Sequence, residues 1–330
     1  MSAHGNGTPM PDKGAMRQIA PDVACLMLPI VNLYFVGAPG GGDRAWVLVD
    51  AGLPGTAGRI AATAGQRFGA DARPAAIIMT HGHFDHVGAL RALAARWDVP
   101  IYAHELELPY LTGRSDYPPP DPTVGGGAMA WLSWLYPKKP IDLSARVWAL
   151  PVDGRVPEMP GWRWMHTPGH SPGHISLYRE ADRLLIAGDA FVTTKQESAI
   201  TALMKPQEVH GPPVYFTPDW QAARRSVEAL ASLHPAVAAT GHGVPMQGAE
   251  LERELQALAR DFDRVAVPKK GRYVTEPAVA NNSGVLRVPP PVRRPLPAAL
   301  VGIGLILAVA AIFGLRRRYG RGRGVPQSGK

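Results

Sequence analysis

The stretch IIMTHGHFDHVG, Ile77 to Gly88, packs three histidines and an aspartate into six positions directly behind an apolar run. The apolar residues predict a buried strand, and His81 and His83, two apart, project to the same side of an extended chain. Asp85 and His86 follow at the turn into a helix. Burying that much polar chemistry is costly unless a cation ties it together. The pattern therefore predicts a metal cradle at the carboxyl end of a strand, where α/β sheets place their sites.

Three further fragments repeat the design of a strand running into a ligand-type residue at a glycine turn. HTPGHSPGH supplies His166, His170 and His174, LLIAGDAF supplies Asp189, and AATGHGVP supplies His242. Glycine lets the backbone pass close to such a site with no side chain in the way. Cys25 is the only cysteine, so neither an intramolecular disulfide nor a cysteine metal site can form. Cys25 itself, in an apolar strand, reads as core. A metal must then be held by His and Asp, a nitrogen and oxygen set that suits zinc and can take iron or manganese.

From Asp22 to Val267 strands alternate with helices. CLMLPIVNLYFVG, RAWVLVDAG, PAAIIMT, IYAH, WALPV, WRWMHT, HISLYRE, RLLIAGD and AVAATGH read as strands, GTAGRIAATAGQRFG and VGALRALAARW as helices. DWQAARRSVEALASL and AELERELQALARDF are the clearest amphipathic helices, the first opened by Asp219 as N-cap. Short strands in two groups with helices between them predict a layered α/β fold.

The motifs resemble those of the metallo-β-lactamase superfamily. Its H-x-H-x-D-H signature is matched by His81, His83, Asp85 and His86, and its downstream His, Asp and His by His170, Asp189 and His242, over most of residues 22 to 267. The resemblance implies a four-layer αβ/βα sandwich with a binuclear centre, two zinc ions per chain by default. His81, His83 and His170 would hold the first metal, Asp85, His86 and His242 the second, and Asp189 would bridge them. A hydroxide formed between the cations near neutral pH would attack an electrophilic carbonyl or phosphorus, oriented by Asp85 as the catalytic residue. In sites of this kind an aspartate such as Asp50 backs a ligand histidine, with a turn cap as its plain alternative, and His174 reads as a buried donor outside the ligand set. His166 reads as structural, and His104, His210 and His234 as surface or loop residues.

Substrate is less constrained. Asp189 fills the bridging position that antibiotic-cleaving zinc enzymes replace, and Val192 stands where acyl-homoserine lactonases usually carry a tyrosine. Thioesterases of the glyoxalase II type share HTPGH, but their glutathione-binding region has no counterpart here. Three readings stay open: a binuclear zinc hydrolase of an ester, lactone or thioester, an iron-dependent persulfide dioxygenase, and a membrane-tethered protein with structural metals. The insertion Gly113 to Pro140 is rich in Pro and Gly yet carries Trp131, Leu132, Trp134, Leu135 and Tyr136. It reads as a lid giving an apolar wall to a small-molecule substrate, as a face touching the bilayer, or as a helix packed on the core.

Of the net charge of +8, residues 287–330 contribute nine basic side chains and no acid, and residues 269–286 a net +2 from Lys269, Lys270 and Arg272 against Glu276, which leaves residues 1–268 at −3. A slightly acidic globular part argues against a nucleic-acid partner. Leu296 to Leu315 is a 20-residue run without a charge, followed by Arg316, Arg317 and Arg318. As a helix it would reach about 30 Å, the thickness of a bilayer core. The expected organisation is a polar lead-in over 1–21, a catalytic domain over 22–268, a Pro-rich linker over 269–295, a transmembrane helix over 296–315 and a basic tail over 316–330. The basic tail alone would keep the C-terminus in the cytoplasm. The polar start, without an apolar leader, points instead to a membrane-anchored enzyme with its catalytic domain on the cytoplasmic side. The sequence sets no oligomeric state.

Overall fold

The computed structural model describes residues 16–195 and 207–292. The predicted transmembrane run and basic tail lie outside the described residues, and among the described residues no helix is long and apolar enough to cross a membrane.

Two mixed sheets face each other. The first has seven strands in chain order: β1 (Met16–Ala20), β2 (Val23–Met27), β3 (Asn32–Val36), β4 (Val47–Val49), β5 (Ala76–Ile78), β6 (Ile101–Ala103) and β7 (Val147–Ala149). It runs antiparallel from β1 to β4 and parallel from β4 to β7. The second is ordered β12-β11-β10-β9-β8 and comprises β8 (Trp162–His166), β9 (Ile175–Arg179), β10 (Leu184–Gly188), β11 (Val237–Thr240) and β12 (Met246–Gln247).

Side-chain alternation along these strands builds the layers. Tyr34, Val47, Val49 and Ile78 meet Ile175, Leu177, Leu184 and Ile186 between the sheets. Their neighbours Leu33, Phe35, Leu48 and Ile77 point the other way, onto α1 (Ala57–Phe68) and α3 (Leu90–Trp97). On the far side Leu185, Ala187 and Ala238 pack on α6 (Trp220–Ala231) and α7 (Gly248–Val265). The order helix, sheet, sheet, helix is the predicted four-layer αβ/βα sandwich. Each helix turns a single apolar stripe inward, as with Ile60, Ala64 and Phe68 on α1 and Leu251, Leu255, Leu258 and Phe262 on α7. Each such Ile, Leu or Phe side chain, fully buried, contributes roughly 1.5–3 kcal/mol. Asp219 caps α6 as expected, accepting the Ala222 N–H at 2.9 Å.

Two expected boundaries shift. The lead-in ends earlier than residue 21, because Met16–Ala20 pairs antiparallel with β2 as the edge strand. The Pro-rich linker begins later than residue 269. Val279–Asn281 and Gly284–Arg287 form a hairpin, β13–β14, and Tyr273 donates to the Pro119 carbonyl at 2.6 Å. Its short strands and polar turn carry too little apolar pattern to stand out from a linker in sequence.

Candidate metal centre

The rims of both sheets converge on one point. His81 and His83 follow β5 directly, with Asp85 and His86 on the single turn α2 (Phe84–Val87). His170 lies on the loop between β8 and β9, Asp189 just past β10 and His242 just past β11. All seven are buried. Their donor atoms fall into three groups, each within 4.8 Å: His81, His83 and His170; His81, His86 and Asp189; Asp85, His86 and His242. Asp189 Oδ2 lies 2.9 Å from His242 Nε2, 3.4 Å from His170 Nε2 and 3.6 Å from His86 Nε2. Asp85 Oδ2 lies 3.6 Å from His242 Nε2.

The surrounding hydrogen bonds fix which ring nitrogen faces inward. His86 Nδ1–H donates to Asp50 Oδ2 at 2.8 Å, so Asp50 backs a histidine rather than merely capping a turn. The Thr80 hydroxyl also donates to Asp50 Oδ2, at 2.7 Å, which leaves it to accept from His81 Nδ1 at 3.1 Å. His242 Nδ1 meets the Ile30 carbonyl. All three rings thus turn Nε2 toward the centre. His83 differs, with Nδ1 2.9 Å from His170 Nε2.

The donor set fits a metal pair. His81 Nε2, His86 Nε2 and Asp189 Oδ1 are buried with no hydrogen-bond partner, which is costly for a polar atom unless a ligand satisfies it. Space is reserved for them: a Cβ at Gly241 would sit 2.0 Å from Asp189 Oδ1 and 2.8 Å from His86 Cε1.

Burial, reinforced by neighbouring imidazoles, pushes His81 and His170 well below the usual histidine range and His83 to about 3. These rings are neutral, the form that ligates. Burial would do the same to His86 and His242, but Asp189 outweighs it and raises both. Burial would raise Asp189, yet His242 and His86 hold its carboxyl well below the usual range.

Residues 27–242 match the description Metallo-beta-lactamase superfamily. The chain belongs to the metallo-β-lactamase superfamily. Within it, the chain is 48% identical over 252 residues to "Probable metallo-hydrolase YflN" of Bacillus subtilis (strain 168), covering 76% of this chain and 95% of that protein. A second Bacillus subtilis relative, "Probable metallo-hydrolase YybB", is 29% identical over 170 residues, 52% of this chain and 64% of that one. A crystal structure of a β-lactamase domain protein from Burkholderia ambifaria shares the fold at TM-score 0.53 and 21% identity, covering 78% of this chain and 79% of that one. The protein is a metallo-hydrolase of this superfamily with a buried binuclear His/Asp site.

Other sequence candidates fall into place around the centre. His174, fully buried, accepts the Asp189 backbone N–H through Nε2 at 2.8 Å and faces Thr167 through Nδ1. His166 stacks on His104 with centroids 4.2 Å apart, outside the ligand cluster. His104 is buried rather than on the surface, because its ring fills the space between His166 and Trp164. His210 is partly buried, and His234 pairs with Glu252 on the exterior.

Two groups escaped the sequence reading. Glu107, fully buried, accepts from Gly82 N at 3.0 Å, Ser171 Oγ at 2.7 Å and Gly173 N at 2.8 Å, and binds the Tyr117 hydroxyl. It clamps the loop of His81 and His83 to the loop of His170, and the only sequence signal is an acid inside an apolar phrase. Phe216 stacks on His83 with centroids 4.4 Å apart.

Proposed function

We propose that this superfamily hydrolase cleaves an ester, lactone or thioester bond of a small molecule with an apolar acyl group, using two zinc ions. The shared position of Asp189, facing His86, His170 and His242 through one oxygen, carries the reading. His81, His83 and His170 would hold one ion, Asp85, His86 and His242 the other, and Asp189 both. When bound, such a pair lowers the pKa of water to about 7 and polarises a carbonyl.

The chain's own residues do the rest. Asp85, whose Oδ2 lies 3.6 Å from His242 Nε2, would orient the attacking water and take up its proton. Asp50 and Thr80 keep His86 and His81 in the ligating tautomer. Tyr136, Phe84, Phe216 and Tyr215 form a contiguous aromatic wall, with centroids of Tyr136 5.5 Å from Phe84 and 5.9 Å from Phe216. This wall reaches the ligand His83 and supports an apolar acyl group beside the reacting carbon. Trp131 and Trp134, on which the lid reading rests, are exposed, 42% and 63%. Of the insertion's aromatics, Tyr136 turns to the wall and the buried Tyr117 packs on His83, with centroids 4.7 Å apart. The apolar run at 296–315, bounded by arginines, supports a membrane tether.

The test is metal content by mass spectrometry together with a panel of chromogenic esters, lactones and thioesters. The wild-type chain should hold about two zinc ions, and Asp189→Ala should lower occupancy and abolish hydrolysis. Full activity in that variant would sink the mechanism. Iron in place of zinc, with oxygen consumed on a persulfide, would replace it with the dioxygenase reading.

A further inference from the structure

The segment Ala128–Leu135 is apolar on two sides. Its inner side carries the buried Ala130 and Ser133 and packs with Met129 and Tyr136 against Tyr215 and Phe216. Its outer side carries Trp131, Trp134 and Leu135, at spacings of three and four that bring them onto one face of the helical turns. These three are 42%, 63% and 56% exposed, and Lys138 and Lys139 follow, both exposed. Lys138 reaches Asp116 only at 4.0 Å.

We propose that this face seats in the interfacial layer of a lipid bilayer, with the two lysines toward anionic headgroups; the inference rests on the membrane-tether reading above. Tryptophan prefers the headgroup level, where its ring is apolar and its N–H wet, and basic side chains beside such a face add attraction to anionic lipid.

The position of the chain's exit favours lipid over other occupants. The insertion that carries the patch is tied, through Ser115, Pro119 and Asp121 ahead of it, to the hairpin and to the chain just before it, which lead toward the apolar run. Val285 N donates to Ser115 Oγ at 3.1 Å, Tyr273 to the Pro119 carbonyl at 2.6 Å, and Arg272 N to Asp121. From Arg287, where the hairpin ends, to Leu296 nine residues can span at most about 30 Å. An embedded run therefore keeps the hairpin, and the insertion fastened to it, close to the membrane surface. Arg287, Arg293 and Arg294 lie along that connection and share the preference for anionic lipid. Docked this way, the aromatic wall on the inner side of the same segment lies next to the layer in which apolar acyl compounds dissolve.

The experiment uses the full chain with vesicles of phosphatidylcholine and phosphatidylserine whose acyl chains carry bromine, a short-range quencher of tryptophan. The chain should float with the vesicles, and brominated lipid should remove about a quarter of the emission, the share of two among eight tryptophans. Trp131→Phe with Trp134→Phe should abolish that quenching while keeping the circular-dichroism spectrum, and Trp148→Phe, at another exposed site, should retain it. Quenching that survives in the double variant overturns the proposal. A chain that floats unquenched overturns it while leaving the tether intact, and a chain that does not float overturns both.

Discussion

The Nε2 of His174 accepts the backbone N–H of Asp189 at 2.8 Å, and its Nδ1 faces Thr167. An imidazole that accepts through one nitrogen carries its proton on the other, so His174 is the neutral Nδ1–H tautomer. It fixes the peptide that presents the shared carboxylate. A Cβ at Gly188 would lie 2.6 Å from that Nε2, and Gly188 has φ +56°, so glycine serves both the close approach and the left-handed turn.

His174→Leu should leave the Asp189 N–H buried and unpaired, at a stability cost of about 1–3 kcal/mol. Loss of such a supporting contact typically lowers metal affinity or activity about 10–100-fold. Zinc per chain during a chelator titration, and kcat/KM on the best ester of the panel, should both fall by that order. Unchanged metal affinity would mean that His174 supports the fold alone.

Glu107→Ala should be among the most damaging substitutions outside the ligand set. It strands the N–H of Gly173 and the hydroxyls of Ser171 and Tyr117 in the interior, while the Gly82 N–H keeps the Tyr117 oxygen as acceptor at 2.8 Å. Each stranded donor costs roughly 1–3 kcal/mol before relaxation, so urea denaturation should show a loss of at least about 3 kcal/mol. Glu107→Gln keeps the acceptor on one side and should recover part of it. Equal stability of the alanine variant and the wild type would refute the clamp.

Substrate preference should follow the inner aromatic wall. Each CH₂ removed from water is worth about 0.8 kcal/mol, so kcat/KM on p-nitrophenyl esters should climb with acyl length. Tyr136→Ala with Phe216→Ala should flatten that climb, whereas Trp131→Phe with Trp134→Phe should leave it in place in detergent. A profile flattened by the tryptophan pair instead would favour the lid.

His104 gives a pH signature. Burial, and then the facing His166, lower its pKa to about 4, against about 6.5 in the unfolded chain. Between those values the unfolded chain binds more protons, so stability is complete above pH 6.5 and declines as pH falls toward 4. One proton corresponds to about 1.4 kcal/mol per pH unit. His104→Asn keeps an acceptor for the Leu106 N–H and should make the decline between pH 6.5 and 4 shallower by that order. An identical slope in urea midpoints would show that His104 is already charged in the folded chain.

The sequence by itself marked the seven His and Asp residues that cluster and the alternation of strands and helices. His81, His83, Asp85, His86, His170, Asp189 and His242 sit at or shortly past strand ends, so they announce themselves through local spacing and glycine turns. Period-two and period-3.6 patterns likewise announce sheets and helices. Local pattern has no means of saying which distant groups close around those ends. That Glu107 joins Gly82 to Gly173, that Asp50 turns His86, and that His174 holds the Asp189 peptide follow from contacts 15 to 66 positions apart. Those contacts exist only once distant strands have paired and, for Glu107, once the two sheets have packed. The insertion shows the same division: its aromatics were plain in the sequence, but which of them face the site was not. A short segment with apolar residues on every side has no inward stripe of its own, and only docking on Tyr215 and Phe216 turned Tyr136 in and left Trp131 and Trp134 outside.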